Sequence, residues 1–220
     1  MPDLSGRAVL IAGATSASGL AATRALASAG ARVVATGHDA GKLGALAALG
    51  ARTELVDLTD EGAVFDLAMR LRGAGLRVDG LLHLVGGWRG GGGLAGQSEA
   101  DYRALEASLT ALRHVTRAFD DDLRASDAGR LAIVSSTAVA RPLAGGANYA
   151  AVKAASEAWT RAVAQGYAKA ARDAGEPLRT AAVIFRVTAL AGLEERLATA
   201  FAGLWDAPAE AVNDTVADLS

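Results

Sequence analysis

Short apolar runs alternate along this chain with alanine- and leucine-rich stretches of helical period. Runs at 7–12, 32–36, 52–56, 78–85, 130–135 and 179–187 have strand length and are β-branched or leucine-rich. Between them, apolar positions recur every three to four residues over 18–29, 40–49, 60–73, 98–125 and 147–174, and again over 207–218, which predicts helices. Strand followed by helix, repeated, is βαβ organisation. Right-handed crossovers then give a parallel sheet with helices on both faces and ligands at the carboxyl ends of its strands. The expected fold is one α/β domain over residues 1–220, a Rossmann-like doubly wound sheet of about six strands. The segment after the sixth strand offers two amphipathic helical segments and no seventh strand. The sixth strand therefore reads as an open edge that must be covered or paired, a partner chain being one solution.

Composition narrows the class without changing the fold. With 51% hydrophobic and 5% aromatic residues, 220 residues can bury a large, mainly aliphatic core. A net charge of −2 and a pI near 5.9 supply no basic face for nucleic acid or an anionic membrane. No apolar run approaches the roughly 20 residues that span a bilayer. The absence of cysteine excludes disulfides, thiolate metal ligands and cysteine nucleophiles, and the start "MPDLSGRAVLIAG" lacks a basic region followed by a long apolar stretch. A soluble cytoplasmic protein without a metal is expected.

Three stretches carry candidate chemistry. "AGATSASG" at 12–19 sits at a strand-to-helix junction, where unpaired N–H groups and the positive end of the helix dipole form an anion site. Gly13 and Gly19 suit close backbone approach, while Ala17 stands where a third glycine would help; an ordinary βα turn is the other reading. "GGWRGGGG" at 86–93 is a loop: either a flexible connection anchored by Trp88, or one that puts Trp88 and Arg89 beside a ligand. In "VSSTAVARPLAGGANYAAVK", Tyr149 and Lys153 are four residues apart at a helix start and share one face. A phenol is a weak acid–base group near neutral pH, and an ammonium beside it favours the phenolate. Lys153 can supply that charge, and Ser136 at a strand end can polarise a carbonyl.

On these residues the chain resembles the short-chain dehydrogenase/reductase family from about residue 4 to 187. The glycine turn, "VDLTD" after the third strand, Ser136, and Tyr149 and Lys153 spaced as Y-x-x-x-K appear in the family's order and spacing. The resemblance implies hydride transfer with NAD or NADP, Ser136, Tyr149 and Lys153 being catalytic. It implies a cofactor surface of Gly13, Thr15, Ser16, Ala17, Ser18 and Gly19 in the phosphate turn, Gly37 and His38 after the second strand, and Asp57 and Leu58 after the third. Gly86, Tyr149, Lys153 and Thr188 complete it. Asp57 would bond the adenine amino group, or alternatively cap a helix, and Lys153 would also hold the nicotinamide ribose.

The chain departs from the family at several points. Its usual Asn-Asn-Ala-Gly is "HLVG" here, so His83 stands at the first asparagine and only Gly86 is kept. His83 is either a hydrogen-bonded core residue or a contact of the site. The helix asparagine has no clear equivalent, Ser108 being nearest. Phe185 and Arg186 stand for the proline-glycine after the sixth strand, at a position expected near the nicotinamide. In "VVATGHD", Gly37 takes the place of the carboxylate by which NAD enzymes exclude a 2′-phosphate, and His38 can donate to phosphate, so NADP is expected, with NAD the alternative. The expected substrate is a small-molecule carbonyl or secondary alcohol. A nucleotide-binding sensor or scaffold of the same fold is the alternative function. Helices 98–125 and 147–174 carry small and aliphatic faces, and a homodimer or homotetramer is expected.

Overall fold

The computed structural model describes residues 2–220. Seven strands form one sheet: β1 (Ala8–Ala12), β2 (Arg32–Gly37), β3 (Arg52–Leu55), β4 (Gly80–His83), β5 (Arg130–Ser136), β6 (Ala181–Val187) and β7 (Thr215–Asp218). Their order is β3-β2-β1-β4-β5-β6-β7, and every neighbouring pair is parallel. The chain runs outward from β1 to β3, then returns to β4 on the other side of β1. That reversal opens a crevice at the carboxyl ends of β1 and β4.

Seven helices cover the two faces: α1 (Ala17–Ser28), α2 (Ala40–Ala47), α3 (Glu61–Gly73), α4 (Glu99–Ala125), α5 (Ala147–Ala174), α6 (Glu194–Ala202) and the single turn α7 (Ala209–Val212). Side chains alternate across the sheet. Val9, Ile11, Leu82, Val183 and Phe185 meet Ala22 and Leu26 of α1, Leu46 of α2 and Phe201 of α6. Leu10, Leu81, Leu131 and Ala182 meet Leu67 and Leu71 of α3, Val115 and Phe119 of α4, and Ala164 of α5. Both faces of β1, β2, β4, β5 and β6 are therefore buried, which explains their largely apolar runs, whereas the edge strands β3 and β7 are only partly covered. Ser16, Asp39, Asp60 and Ser98 cap α1 to α4, each side chain accepting a first-turn N–H at 3.1 Å. Asp60, not Asp57, is the cap of α3.

The expected fold class holds, but two expectations about the chain's end do not. Residues 207–218 are not one helix: α7 stops at Val212, and Thr215–Asp218 is a seventh strand paired with β6. Asn213 makes the change of direction. Its Oδ1 accepts the Ala182 N–H at 3.0 Å and its Nδ2 donates to the Ala164 carbonyl at 3.1 Å, while Asp214 adopts φ 60°. The sixth strand is consequently an interior strand, with β7 as the edge. A four-residue strand is too short to display a period, and its partner lies far away in sequence. No helix among the described residues is long and apolar enough to cross a membrane.

Candidate active site

At the carboxyl ends of β4, β5 and β6 lies a cavity of about 980 Å³. His83, Gly86, Ser136, Tyr149, Lys153 and Thr188 all line it, so the structure brings together residues from four separate stretches of sequence. Strand β5 ends at Ser136, which is 3% exposed; its hydroxyl oxygen accepts the Ala138 N–H at 3.1 Å and keeps its own proton free to donate. Its neighbour Ser135 instead donates to Glu157 at 2.7 Å. Both serines line the cavity, but the Ser135 hydroxyl proton is taken by Glu157 while that of Ser136 is free.

Tyr149 and Lys153 lie one turn apart on α5, with the Lys153 ammonium 5.8 Å from the centre of the Tyr149 ring. Lys153 donates to the Val134 carbonyl at 2.7 Å. Burial pushes its ammonium down to about 8, and the carboxylate of Glu157, one turn farther along α5, works against that. Glu157 is itself clamped by Arg186, whose Nε and terminal nitrogen donate at 2.8 and 2.6 Å. Burial acts against ionising Glu157, yet the bonds from Arg186 and Ser135 hold its carboxyl below the usual range. Arg186 and Phe185 therefore do not stand in a turn beside the cavity. Both belong to β6, Phe185 buried against the α1 side and Arg186 held by Glu157. The turn begins after them, and Val187, Thr188 and Ala189 line the cavity.

Thr188 is engaged within the chain: its N–H donates to the Ser220 hydroxyl at 2.8 Å, and its own hydroxyl lies 3.3 Å from that of Thr137. Ser108 is buried on α4; its hydroxyl donates to the Leu105 carbonyl, while its carbonyl accepts from His83 Nε2 at 3.1 Å. Burial, reinforced by the Lys153 charge, pushes the His83 imidazole down to about 3.

The glycine-rich loop is a built wall rather than a slack connection. Gly91 N–H donates to the Gly145 carbonyl at 2.7 Å, and a Cβ on Gly90 would lie 2.4 Å from that same oxygen. Trp88 does not anchor the loop: it lines the cavity mouth at 66% exposure, beside Leu143 at 73%. The anchor is Gln97, a residue sequence reasoning missed. Its Nε2 reaches the carbonyls of Gly91, Gly93 and Gly145, and its Oε1 accepts the Asn148 N–H. No local pattern announces such a bridge. Glu157, also missed, had a signal: it lies four residues after Lys153, on the same helical face.

The first turn adjoins the cavity without lining it. Gly13 has φ 82°, and a Cβ there would lie 2.9 Å from Val85, a cavity residue. At Gly19 a Cβ would lie 2.0 Å from the Ala14 carbonyl oxygen, so only glycine lets α1 start this close to β1. Thr15, Ser16 and Ala17 form the open side of the turn, Ser18 and Gly19 its buried side, and the first turn of α1 holds no acid. This is a backbone cradle that fits a pyrophosphate. Ala17 in place of a glycine leaves the cradle intact because its methyl points to the exposed side.

Farther along the same sheet edge stand Gly37 and His38, then Asp57 and Leu58. Gly37 packs against Thr15, where a Cβ would lie 2.5 Å from the threonine methyl. Asp57 is exposed; its Oδ1 accepts from the Thr59 hydroxyl and N–H at 2.7 and 2.8 Å, which hold its carboxyl below the usual range. Leu58 is buried, and His114 Nδ1 donates to its carbonyl at 3.1 Å.

Residues 7–171 match the family model for short chain dehydrogenase. A search of curated proteins finds no match. Solved structures are similar over the whole chain. A short chain dehydrogenase from Shigella flexneri complexed with NADP is 21% identical with a TM-score of 0.86, covering 100% of this chain and 99% of that one. A metagenomic short-chain oxidoreductase in complex with NADP is 27% identical with a TM-score of 0.81, covering 98% of each. A short chain oxidoreductase from Pseudomonas aeruginosa containing an atypical catalytic centre is 19% identical with a TM-score of 0.83, covering 99% of this chain and 97% of that one.

Proposed function

The chain belongs to the short-chain dehydrogenase family, and on that footing we propose that it is an NADP-dependent oxidoreductase acting on a carbonyl or secondary alcohol. One observation carries the reading: Ser136, Tyr149 and Lys153 line a single cavity, with the ammonium fixed to Val134 beside the phenol. The cofactor supplies the hydride when bound. In reduction, the Ser136 hydroxyl donates to the substrate oxygen and orients it. Tyr149 passes that oxygen a proton, and the Lys153 charge stabilises the phenolate left behind. The reverse sequence serves oxidation.

The cradle from Gly13 to Gly19 would hold the pyrophosphate, Asp57 and Leu58 the adenine side, and Gly86, Tyr149, Lys153 and Thr188 the nicotinamide side. For the choice of cofactor, Gly37 presents no carboxylate and His38 can donate to a 2′-phosphate. Two of the similar structures also hold NADP. Apart from its polar floor, the cavity is walled by Leu84, Val85, Trp88, Leu143, Leu190 and Ala191, which favours a substrate with an apolar body.

A second reading has one observation in its favour. The two residues at the family's asparagine positions serve each other, His83 Nε2 donating to the Ser108 carbonyl at 3.1 Å, which fits a nucleotide-binding sensor or scaffold without turnover. A panel of carbonyls and alcohols with both cofactors, followed at the nicotinamide absorbance, separates the two. Turnover supports the enzyme; tight cofactor binding without turnover on any of the panel supports the sensor. We further propose a cytoplasmic homodimer or homotetramer, since the long helices α4 and α5 carry small and aliphatic faces.

A further inference from the structure

His83 ends β4 at the centre of the sheet, paired with Ala12 of β1 and Ile133 of β5. Its ring is 5% exposed and turned towards α4. A carbonyl oxygen only accepts, so the bond to Ser108 fixes the proton on Nε2 and leaves a lone pair on Nδ1. That Nδ1 is buried and has no hydrogen-bond partner among the described residues. A buried acceptor without a donor is costly and uncommon, and calls for a specific partner. Lys153 is near enough for its charge to act on the imidazole. Its ammonium has three N–H groups and gives one to Val134. A Cβ built on Gly86 would touch both the Lys153 nitrogen, at 3.6 Å, and the Ser108 Cβ, at 3.8 Å, so the ammonium and Ser108, the residue whose carbonyl holds His83, flank one spot on the cavity floor.

We propose that His83 is a positioning residue for Lys153, its Nδ1 lone pair accepting, through one bridging water, a second N–H of the ammonium. The bond aims the ammonium at the Tyr149 ring and favours its charged form where burial opposes it. Around Lys153, α5 contributes Tyr149 and Glu157, β4 His83, and β6 Arg186, which is tied to Glu157; Arg141 lines the same cavity from the loop after β5. Among these only Glu157 and His83 favour the ammonium, Glu157 through its charge and His83 through its lone pair. A neutral imidazole suits the role, because a protonated one would repel Lys153. The low titration of His83 keeps it neutral across the working range.

The chain has three lysines, Lys42, Lys153 and Lys169, so a protein labelled with 13C-lysine gives three Cε signals whose titrations can be followed separately. His83→Phe removes the lone pair and keeps a ring. His83→Gln keeps a donor within reach of Ser108 and an acceptor oxygen. The expected result is that the Lys153 titration, near 8 in the wild type, falls by about one pH unit in His83→Phe and returns towards 8 in His83→Gln, while Lys42 and Lys169 stay fixed. An unchanged Lys153 titration in folded His83→Phe overturns the proposal.

Should His83→Phe not fold, 15N-histidine spectra of the wild type and Lys153→Met decide. The unprotonated Nδ1 signal of His83 should move towards that of a free lone pair when the ammonium is removed. No movement overturns the proposal. These measurements need neither cofactor nor substrate. The kinetic consequence rests on the catalytic role proposed for Lys153: the alkaline limb of the kcat profile should shift to lower pH in His83→Phe. An unmoved limb with a shifted Lys153 titration would count against the catalytic reading and leave the His83–Lys153 contact standing.

Discussion

The Oε1 of Gln97 accepts the backbone N–H of Asn148 at 3.1 Å, immediately before Tyr149. Through this bond and those from its Nε2, one side chain joins the glycine-rich loop to the segment that starts α5. Gln97→Ala should leave that start free to drift. The expected outcome is a fall in kcat of about tenfold, since small misplacements of a reacting group are expensive in rate. KM for an apolar substrate should rise as the cavity wall loosens. Steady-state kinetics beside a thermal melt check this, and a large loss of melting temperature with normal kcat would contradict it.

Tyr149→Phe should bind cofactor normally and lose turnover by about 10² to 10⁴-fold, the usual contribution of a positioned acid–base group. Ser136→Ala should also keep cofactor affinity while losing rate. Lys153→Ala should lose both. Fluorescence titration and turnover on the same preparations separate these patterns, and normal turnover in Tyr149→Phe would refute the mechanism.

Purified protein should bind NADPH more tightly than NADH. Gly37→Asp should reverse the preference by adding a carboxylate that repels a 2′-phosphate. Because a Cβ at this position would lie 2.5 Å from the Thr15 methyl, Thr15 must turn to admit it, and some loss of affinity for both cofactors is expected. Pairing the change with Thr15→Ser removes that methyl. Titration by cofactor fluorescence reads each of the three proteins with both cofactors; a wild-type preference for NADH would overturn the assignment.

The buried Lys153 ammonium makes a pH-dependent contribution to stability. Below about pH 8 it is charged in both folded and unfolded chains, so folding bears the full burial cost. Between about 8 and the ordinary lysine value, the folded chain has released the proton and the unfolded chain still holds it. Stability therefore rises with pH across that window. Lys153→Met should stabilise the protein at pH 7 by about 2 kcal/mol, the burial cost less the lost bond to Val134. The advantage should vanish by about pH 10. Denaturant unfolding at pH 7, 9 and 10 checks the sign.

His83 adds the opposite limb. Unfolded, it takes up a proton near its ordinary value; folded, it does so only at about 3. Stability should consequently decline as pH falls below about 6.5, and His83→Gln should flatten that decline in acid unfolding curves. An identical acid slope in the variant would contradict the burial of a neutral imidazole.

The features legible in the sequence are those encoded by neighbours. Apolar runs alternating with helical stretches determine a parallel sheet covered on both sides, because each interior strand must bury both faces. Glycine at 13 and 19 marks the strand-to-helix turn, and the four-residue spacing of Tyr149 and Lys153 puts them on one helical face. The features that tertiary structure decided depend on partners remote in the chain. Thr215–Asp218 is a strand because β6 offers it an edge; its own four residues carry no period. Arg186 looked like a substituted turn residue and is a strand residue clamped by Glu157, which no local pattern could assign. Ser135 and Ser136 are chemically identical, and only the surroundings of their hydroxyls separate the one bonded to Glu157 from the one whose proton is free. His83 was open to two readings for the same reason. Whether a histidine in an apolar strand is satisfied depends on what approaches each ring nitrogen, and here α4 supplies an acceptor for one while no described residue bonds the other directly. Local periodicity fixes which face a residue presents; the hydrogen-bond partners waiting on that face come from elsewhere in the fold.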